Sequence, residues 1–200
     1  RLARWEEVNR EAYWNNILIA VNETAGKIIT YDGKPINAFF HASSGGVTEI
    51  PINVWGGGEA YPYLQAVATS GEDAYSQYSS ETIATKQEVI DKIKAYHSDI
   101  QIDFSLENEV QILEYTEGTR VKTIKFGNLN LSGVETRTIF GLRSANFTVE
   151  IDGDNVKFSV KGYGHGVGMS QTGADSLAKQ GQNYEDIIKH FYVGTEIINM

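Results

Sequence analysis

Apolar side chains recur at helical spacing in five stretches of the chain. Two of these stretches begin at a capping box, in which Thr85 precedes Glu88 by three residues and Ser132 precedes Glu135 in the same way. Glycines or a break in the pattern end the stretches. The pattern predicts helices over residues of about 4–24, 86–97, 132–140, 170–180 and 183–194, the first of them amphipathic.

Shorter apolar runs flank turn signals at three places. The first turn is Asp32-Gly33, the second is residues 117–119 and the third is residues 152–155. Hairpin-linked strands mixed irregularly with helices are typical of an α+β fold. We expect mostly antiparallel hairpins with four to five helices packed around them, in one domain over residues 1–200, with residues 70–130 as a candidate accessory subdomain. The predicted strand pairs are 27–31 with 36–41, 110–115 with 121–126, and 147–151 with 156–160.

Two loops rich in small residues follow predicted strands. Residues 41–49 form a hydroxyl-rich loop, and residues 162–171 begin with four glycines in seven positions, interleaved with Tyr163 and His165. Ser170 is placed to cap the next helix, and the start of a helix favours hydrogen-bond acceptors and negative charge. Both loops are too rich in glycine for a core, so we expect them to face one cleft.

The candidate binding residues come from these two loops. Each type also has a plain structural interpretation: the serines suit a polar turn, His41 suits a hydrogen-bonded structural histidine, and Glu49 suits a solvated carboxylate or a cap. A long aromatic segment, residues 50–69, lies between the first loop and the rest of the chain. The candidates are His41, Ser43, Ser44, Gly45, Gly46 and Thr48 in the first loop, and Tyr163, Gly164, His165, Gly166 and Gln171 in the second.

Composition narrows the classes of partner. The 200 residues are 41% hydrophobic and 22% charged, as in ordinary globular proteins, and the net charge is −9. That charge argues against nucleic acid or an anionic membrane surface as the main partner. The absence of cysteine excludes disulfides and thiolate metal sites. No apolar run reaches the length of a membrane span, so we expect this chain itself to be soluble, and its start without Met indicates a fragment of something longer.

Spacing disfavours three other kinds of site. The glycines at 164, 166 and 168 do not follow the dinucleotide-binding frame. A Ser–His acyl-transfer site has no Gly-x-Ser-x-Gly elbow here. His41, Glu49 and His165 lack the spacing of metal ligands, and we expect neither a metal nor another cofactor.

Short motifs along the chain give more specific information. They are the hairpin and loop at residues 34–46 followed by Thr48 and Glu49, the aromatic loop at 54–57 and 62–64, the short helix and its exit at 133–137 and 140–144, the glycine loop at 162–171, then Ala174, Gly181, Tyr184 and residues 192–195. In this order they resemble the stage II sporulation protein D family across residues 15–195. Phe40 stands where many members have tyrosine, so a hydroxyl that serves the site in those members would be lost here.

The resemblance implies a peptidoglycan lytic transglycosylase, or a glycan-binding module that recruits or enhances a cell-wall amidase. The family's proposed catalytic acid is a glutamate in an N-terminal segment, and nothing before Trp5 matches that segment. We therefore expect the acid to lie outside this chain and the chain alone to be nearly inactive. Glu49 is the candidate acid only if no upstream glutamate exists.

The same resemblance implies a setting in sporulation. The expected substrate is the glycan strand of peptidoglycan after an amidase has stripped its peptides, with cleavage during engulfment. The expected partners are a stage II sporulation protein P type amidase and a membrane scaffold protein. The expected location is the extracytoplasmic face of the membrane at the septum between forespore and mother cell, with anchoring through a segment not in this chain.

The glycine loop suggests how stripped glycan is recognised. Backbone N–H groups at the start of a helix lack intrahelical partners and favour an anion. Muramic acid exposes a lactyl carboxylate once its peptide has been removed. We expect residues 164–171 to bind that carboxylate.

Overall fold

The computed structural model describes residues 10–56 and 61–200, and its contacts divide the chain into two compact units. The described part of the first unit is residues 10–36 together with Thr195–Met200. The second unit is Asn37–Gly194, described apart from residues 57–60. All of residues 70–130 belong to the second unit, and an accessory role for that stretch stays a prediction.

Within the described residues, five helices and eleven strands confirm the α+β class and the mostly antiparallel pairing. The helices are α1 (Arg10–Glu23), α2 (Lys86–Lys94), α3 (Gly133–Phe140), α4 (Gln171–Lys179) and α5 (Tyr184–Phe191). The strands are β1 (Lys27–Tyr31), β2 (Lys34–Pro35), β3 (Phe40–His41), β4 (Ser79–Thr85), β5 (Val110–Tyr115), β6 (Val121–Phe126), β7 (Leu129–Ser132), β8 (Phe147–Asp152), β9 (Asn155–Lys161), β10 (Met169–Ser170) and β11 (Glu196–Asn199). In the part of the chain described, no helix is both long enough and apolar enough to cross a bilayer.

The first unit contains α1 and a three-stranded antiparallel sheet ordered β11-β1-β2. Asp32 and Gly33 join β1 to β2 with φ of 50° and 70°, as expected for a tight Asp-Gly hairpin turn. The predicted first helix is confirmed over Arg10–Glu23, and residues 4–9 lie outside the described chain. Its amphipathic character is not confirmed, because large apolar side chains of α1 remain exposed: Tyr13, Trp14, Ile17, Leu18, Ile19 and Val21.

The second unit is built on two three-stranded antiparallel sheets, ordered β4-β9-β8 and β5-β6-β7. Each sheet contains one of the predicted hairpins. Buried side chains from both sheets and from α2 and α3 form one apolar cluster, the sheet core. At its centre the Phe140 ring lies 4.8 Å from that of Phe158 and 5.8 Å from that of Phe126, between centroids. This core is the scaffold that carries the loops.

The predicted caps explain where the helices begin. Thr85 and Glu88 form a reciprocal capping box at α2. Ser132 accepts the Glu135 N–H at the start of α3, but the Glu135 carboxylate contacts His97 Nε2 at 2.8 Å instead of closing the box. Asn183 accepts two N–H groups of the first turn of α5.

The strand predicted over residues 36–41 is wrong for residues 36–39, which lie between β2 and β3 and belong to neither, although the Ile36 N–H still donates to the Ile29 carbonyl at 3.1 Å. Pro35 has no N–H to donate, and the Asn37 N–H donates to the Tyr63 hydroxyl at 2.9 Å instead of to a neighbouring strand. β3 pairs in parallel with β10, with Ser170 opposite His41. That pairing brings the two candidate loops together.

Candidate functional site

The hydroxyl-rich loop and the glycine loop lie side by side and are joined through their backbones. The Tyr163 N–H donates to the Ser43 carbonyl at 2.8 Å, and the Ser43 N–H donates to the Tyr163 carbonyl at 3.1 Å. Further along, the Glu49 N–H donates to the Gly166 carbonyl at 2.8 Å. Glycine is required at the crossing: Gly162 has φ +77°, and a Cβ there would lie 2.7 Å from the Ser43 carbonyl oxygen. The expected juxtaposition of the two loops is therefore observed.

A buried carboxylate missed by the sequence analysis, Glu72, fastens three segments to one another. It opens a short 3-10 turn, Glu72–Ala74, and its side chain is almost fully buried. Two N–H groups and four hydroxyls donate to its two oxygens: Ser44 N at 3.0 Å, Ser44 Oγ at 2.6 Å, Gly46 N at 3.0 Å, Thr69 Oγ1 at 2.8 Å, Thr172 Oγ1 at 2.9 Å, and Ser170 Oγ.

The hydrogen bonds decide the charge of Glu72. Burial alone raises the pKa of a carboxyl, but the donors Ser170, Ser44 and Thr69 more than offset it and lower the pKa of Glu72 to about 2. Glu72 is therefore ionised at neutral pH and acts as a fixed acceptor. We call Glu72 and the donors around it the Glu72 cluster.

Glu72 also contacts the start of α4, where its carboxylate accepts from the hydroxyls of Ser170 and Thr172. Binding of a lactyl carboxylate by residues 164–171 stays a prediction. Several backbone N–H groups in and just after this segment have protein acceptors. The acceptors are Arg143 O for Gly164, His165 Nδ1 for Val167, Phe39 O for Met169, Ala42 O for Thr172 and Ser170 Oγ for Gly173.

A second missed residue, Arg120, supports the hydroxyl-rich loop from the turn between β5 and β6. Its guanidinium donates to three carbonyls: Gly118 at 2.5 Å, Ser44 at 2.7 Å, and Val47. Burial lowers the pKa of Arg120 to about 10, while nearby Glu49 and Glu72 act in the opposite direction. The side chain thus remains a cation at neutral pH, placed between two buried carboxylates.

Glu49 is buried and its carboxylate already has three donors. Oε1 accepts from the Ile50 N–H and from Asn53 Nδ2, both at 2.8 Å, and Oε2 accepts from the Thr116 hydroxyl. Only 1% of the residue is exposed. The assignment of Glu49 as an acid stays a prediction, and these contacts favour a positioning role.

The two histidines contact the same residue through opposite edges of its backbone. The Val167 carbonyl lies 3.2 Å from His41 Nδ1, so this nitrogen carries the hydrogen, and the Val167 N–H donates to His165 Nδ1 at 3.1 Å. Burial is the main cause that lowers the pKa of His41, to about 3. Burial also lowers the pKa of His165, against a hydrogen bond to the Phe40 backbone. Both rings are therefore neutral at pH 7, and Nε2 of His41 is an acceptor.

Two buried side-chain atoms in the described chain have no hydrogen-bond partner, and both belong to this site. They are His41 Nε2 and Ser43 Oγ. Buried polar atoms in folded proteins are nearly always paired, so these two exceptions mark the site as a place where a water or a ligand would find partners.

Aromatic rings surround the glycine loop. The Trp55 ring lies 5.0 Å from that of His165 and 4.9 Å from that of Phe39, between centroids. Trp55 and Tyr163 are 48% and 45% exposed, and Arg143 lies over the Tyr163 ring. An open cavity of about 280 Å³ is lined by residues 37–40 and His165. Residues 57–60 of the predicted aromatic segment lie outside the described chain.

The remaining candidates divide into structural and accessible positions. Thr48 is buried, and its hydroxyl donates to the Gln65 carbonyl at 2.9 Å and accepts the Val67 N–H at 2.8 Å. The Gly46 N–H donates to the Glu72 carboxylate, whereas Gln171 is exposed at the first position of α4. Over residues 10–56 and 61–200, no group of three potential metal ligands converges.

Comparison with known proteins finds two sporulation proteins and an amidase enhancer among the relatives of this chain. No protein-family profile matches the chain. It is 36% identical over 179 residues to stage II sporulation protein D of Bacillus amyloliquefaciens, covering 89% of this chain and 49% of that protein. It is 35% identical over 187 residues to the Bacillus subtilis (strain 168) protein of the same name, covering 94% and 52%. It is also 29% identical over 233 residues to an amidase enhancer of Bacillus subtilis (strain 168), covering 92% and 33%. The chain thus spans about half the length of the two sporulation proteins.

Proposed function

Because this chain belongs to the stage II sporulation protein D family, we propose that it acts on the glycan strands of peptidoglycan in sporulation. The proposed reaction is lytic transglycosylation of amidase-stripped strands, at the β-1,4 bond between N-acetylmuramic acid and N-acetylglucosamine. The observation that carries the proposal is the site itself: exposed Trp55 and Tyr163 stand beside two buried polar atoms that lack partners. Aromatic faces and neutral hydrogen-bonding groups suit the sugar rings, hydroxyls and amides of such a strand.

The reaction needs one acid and an internal nucleophile. The acid gives its proton to the glycosidic oxygen as the bond from that oxygen to the muramic acid C1 breaks. The 6-hydroxyl oxygen of the same muramic acid bonds to C1, and its proton passes to a base. The products are a 1,6-anhydro end and a free 4-hydroxyl, and no water is consumed. The pair of carboxylates found in most glycosidases is therefore not obligatory.

The described carboxylates of the site do not supply this acid readily. Glu72 is ionised and fully engaged, and Glu49 is buried beneath three donors. We propose that a carboxyl group from a longer form of the protein protonates the leaving oxygen. In this proposal His41 and Ser43 bind sugar hydroxyls, and Glu49 fixes the loop.

The cellular setting follows from the same family membership. We propose that the protein works at the extracytoplasmic face of the membrane at the engulfment septum. An amidase of the stage II sporulation protein P type would act first and expose peptide-free strands. A membrane scaffold protein would hold both activities at one place.

A second function is favoured by the relative named amidase enhancer. In that alternative the same groove holds glycan without cutting it and brings a cell-wall amidase to its substrate. The buried state of both site carboxylates fits this alternative as well. The two functions differ in whether new chain ends form.

Digestion of purified, peptide-free glycan strands tests the proposal. The chain and a longer form that includes an upstream glutamate are incubated separately with the strands, and the products are analysed by mass spectrometry for 1,6-anhydro ends. We expect anhydro ends with the longer form and few or none with the chain alone. Tight glycan binding and a faster amidase, without anhydro ends from either form, would establish the alternative. Absence of both binding and cleavage would overturn the proposed function.

A further inference from the structure

Outside the two loops, the second unit contains an open cavity of about 580 Å³. We call it the Tyr115 groove. Its volume lies in the range of roughly 300–1,000 Å³ typical of ligand pockets. The residues that matter here are Tyr115 and Thr116 near the turn between β5 and β6, with Ser79, Ser80, Thr148 and Ser159 on the sheet β4-β9-β8.

The sheet wall of the groove presents polar groups in register. Ser159 of β9 lies opposite Glu81 of β4 on one side and opposite Thr148 of β8 on the other. Cross-strand partners project from the same face of a sheet. Glu81 and Thr148 are exposed and Ser159 is half-buried, so this row faces solvent.

The groups in this groove are free to bind a ligand. Within the described chain, the hydroxyls of Ser79, Thr148 and Ser159 make no hydrogen bond. The Tyr115 side chain adds a ring that is 48% exposed. The nearby carboxylate of Glu81 already pairs with Lys157 at 2.6 Å. The hydroxyls, the Tyr115 ring and the Lys161 side chain, which also lines the groove, suit a ligand rich in hydroxyls and amides.

The Tyr115 groove borders the candidate site. Thr116 lines the groove, and its hydroxyl donates to the buried Glu49 carboxylate of the first loop. Lys161 also lines the groove and lies two residues before Tyr163 of the glycine loop. The groove is therefore next to both loops.

We propose that the Tyr115 groove binds N-acetyl sugars of the same glycan strand that the two loops bind, and so extends the site along the polymer. This inference rests on the proposed function. The groove makes the protein selective for long strands: short fragments fill only the loop site, whereas longer ones gain the additional contacts.

Calorimetry with β-1,4-linked N-acetylglucosamine oligomers tests the inference. The wild type should bind the hexasaccharide more tightly than the disaccharide. The double variant Thr148→Val with Ser159→Ala should lose about tenfold in affinity for the hexasaccharide, because two hydrogen bonds are removed. Its affinity for the disaccharide should not change. Tyr115→Ala should act in the same direction, and thermal melts identify any variant that is misfolded.

Two controls separate the groove from the sheet around it. Thr148→Ser keeps the hydroxyl and should bind the hexasaccharide like the wild type. Ile83→Thr changes an exposed position on β4 outside the groove lining and should have no effect. Hexasaccharide affinity that survives in the double variant and in Tyr115→Ala would overturn the inference while leaving the proposed function intact. Loss of binding of a sugar-free stem peptide in the same variants would assign the groove to peptide and would also overturn it. If the wild type binds neither oligomer, the inference is overturned, and the digestion of peptide-free strands decides separately whether the proposed function stands.

Discussion

Phe158 and Glu72 are buried to nearly the same extent, with 0% and 1% of their surfaces exposed, yet their surroundings differ completely. Phe158 lies among other rings in the sheet core, with Phe147 edge-on at 5.7 Å. Glu72 accepts hydrogen bonds from nearby Thr69 and from two segments that are distant in sequence, at Ser44 and Thr172. The core depends on apolar area and shape, which act without direction. The Glu72 cluster depends on matching each oxygen to donors, so it fixes loop positions as well as contributing stability.

Truncation in the sheet core should have the largest effect. Phe158→Ala leaves a cavity beside Phe140 and Phe147 and should lower the free energy of unfolding by about 3–5 kcal/mol. Urea denaturation monitored by tryptophan fluorescence and by circular dichroism measures this loss. Because the core supports the whole second unit, both probes should shift together. A shift confined to one probe would show that the loops do not depend on the core.

Glu72→Gln should have the next largest effect, and a local one. A carboxamide offers one oxygen and points an NH₂ group at donors, so several of the Ser44, Gly46 and Ser170 contacts fail. We expect the free energy of unfolding to fall by about 3 kcal/mol. Hydrogen exchange should accelerate at the Ser44 and Gly46 amides while β9 stays protected.

A matched control tests whether burial is the cause. Glu114→Gln removes an exposed carboxylate that pairs with Lys122 at 2.7 Å. Such surface pairs contribute about 0–1 kcal/mol, so this variant should remain close to the wild type. Equal losses in the two glutamine variants would contradict a special role for the Glu72 cluster.

The stability of the protein should depend on pH through the protonation of His41. Its pKa is lowered from 6.5 to about 3 in the folded chain, so between these values the unfolded state binds the extra proton. Stability therefore falls as the pH drops through this window, by roughly 2 kcal/mol from pH 7 to pH 5 for this group alone. His41→Gln should flatten that slope, whereas Phe40→Leu at the neighbouring position should keep it.

Glu72 contributes in a separate, more acidic window. Its pKa of about 2 lies below its ordinary value of 4.5, so its stabilising contribution is complete above pH 4.5 and is lost as the pH falls toward 2.

For His41, the outcome that would contradict a neutral, buried ring is a slope of stability between pH 7 and pH 5 that is unchanged in His41→Gln.

Gly166→Ala should have a smaller effect. Gly166 has φ +86°, and a Cβ there would collide with the Arg120 guanidinium. The conformational strain alone is about 1–2 kcal/mol. Thermal denaturation should show the loss. Gly153 also has positive φ, but no other atom lies close to where a Cβ would stand. Gly153→Ala should therefore lower the free energy of unfolding by less than Gly166→Ala does. If the two variants lose the same amount, the Arg120 contact contributes nothing.

Local signals made most of the fold predictable, because turns and caps are encoded within a few residues. Asp32-Gly33 and the Thr85–Glu88 box both appear where the sequence placed them. The strands β2, β4, β7, β10 and β11 were not predicted, because each is short or polar and is defined by a partner strand. β4, for example, pairs with β9 from Ser79 opposite Lys161 to Thr85 opposite Asn155.

The two loops of the candidate site could be predicted from the sequence, but the residues that hold them in place, Glu72 and Arg120, could not. The Gly45 and Gly162 positions follow from composition, since only glycine fits the close crossing. Glu72 carried one usable signal, a hydroxyl three residues earlier at Thr69, which does donate to it. Its other donors come from distant segments, so their convergence exists only in the fold. Arg120 carried no such signal, because its three acceptors are backbone carbonyls.

Hydrogen exchange of the chain with and without peptide-free glycan strands tests the central claim most directly. The claim is that the joined loops, residues 41–49 and 162–171, form a glycan-binding surface carried by the sheet core. Added glycan should slow exchange in both loops and around Trp55, while amides of the sheet core remain unchanged. Exchange that is identical with and without glycan, or protection that appears only outside the loops, would contradict the account.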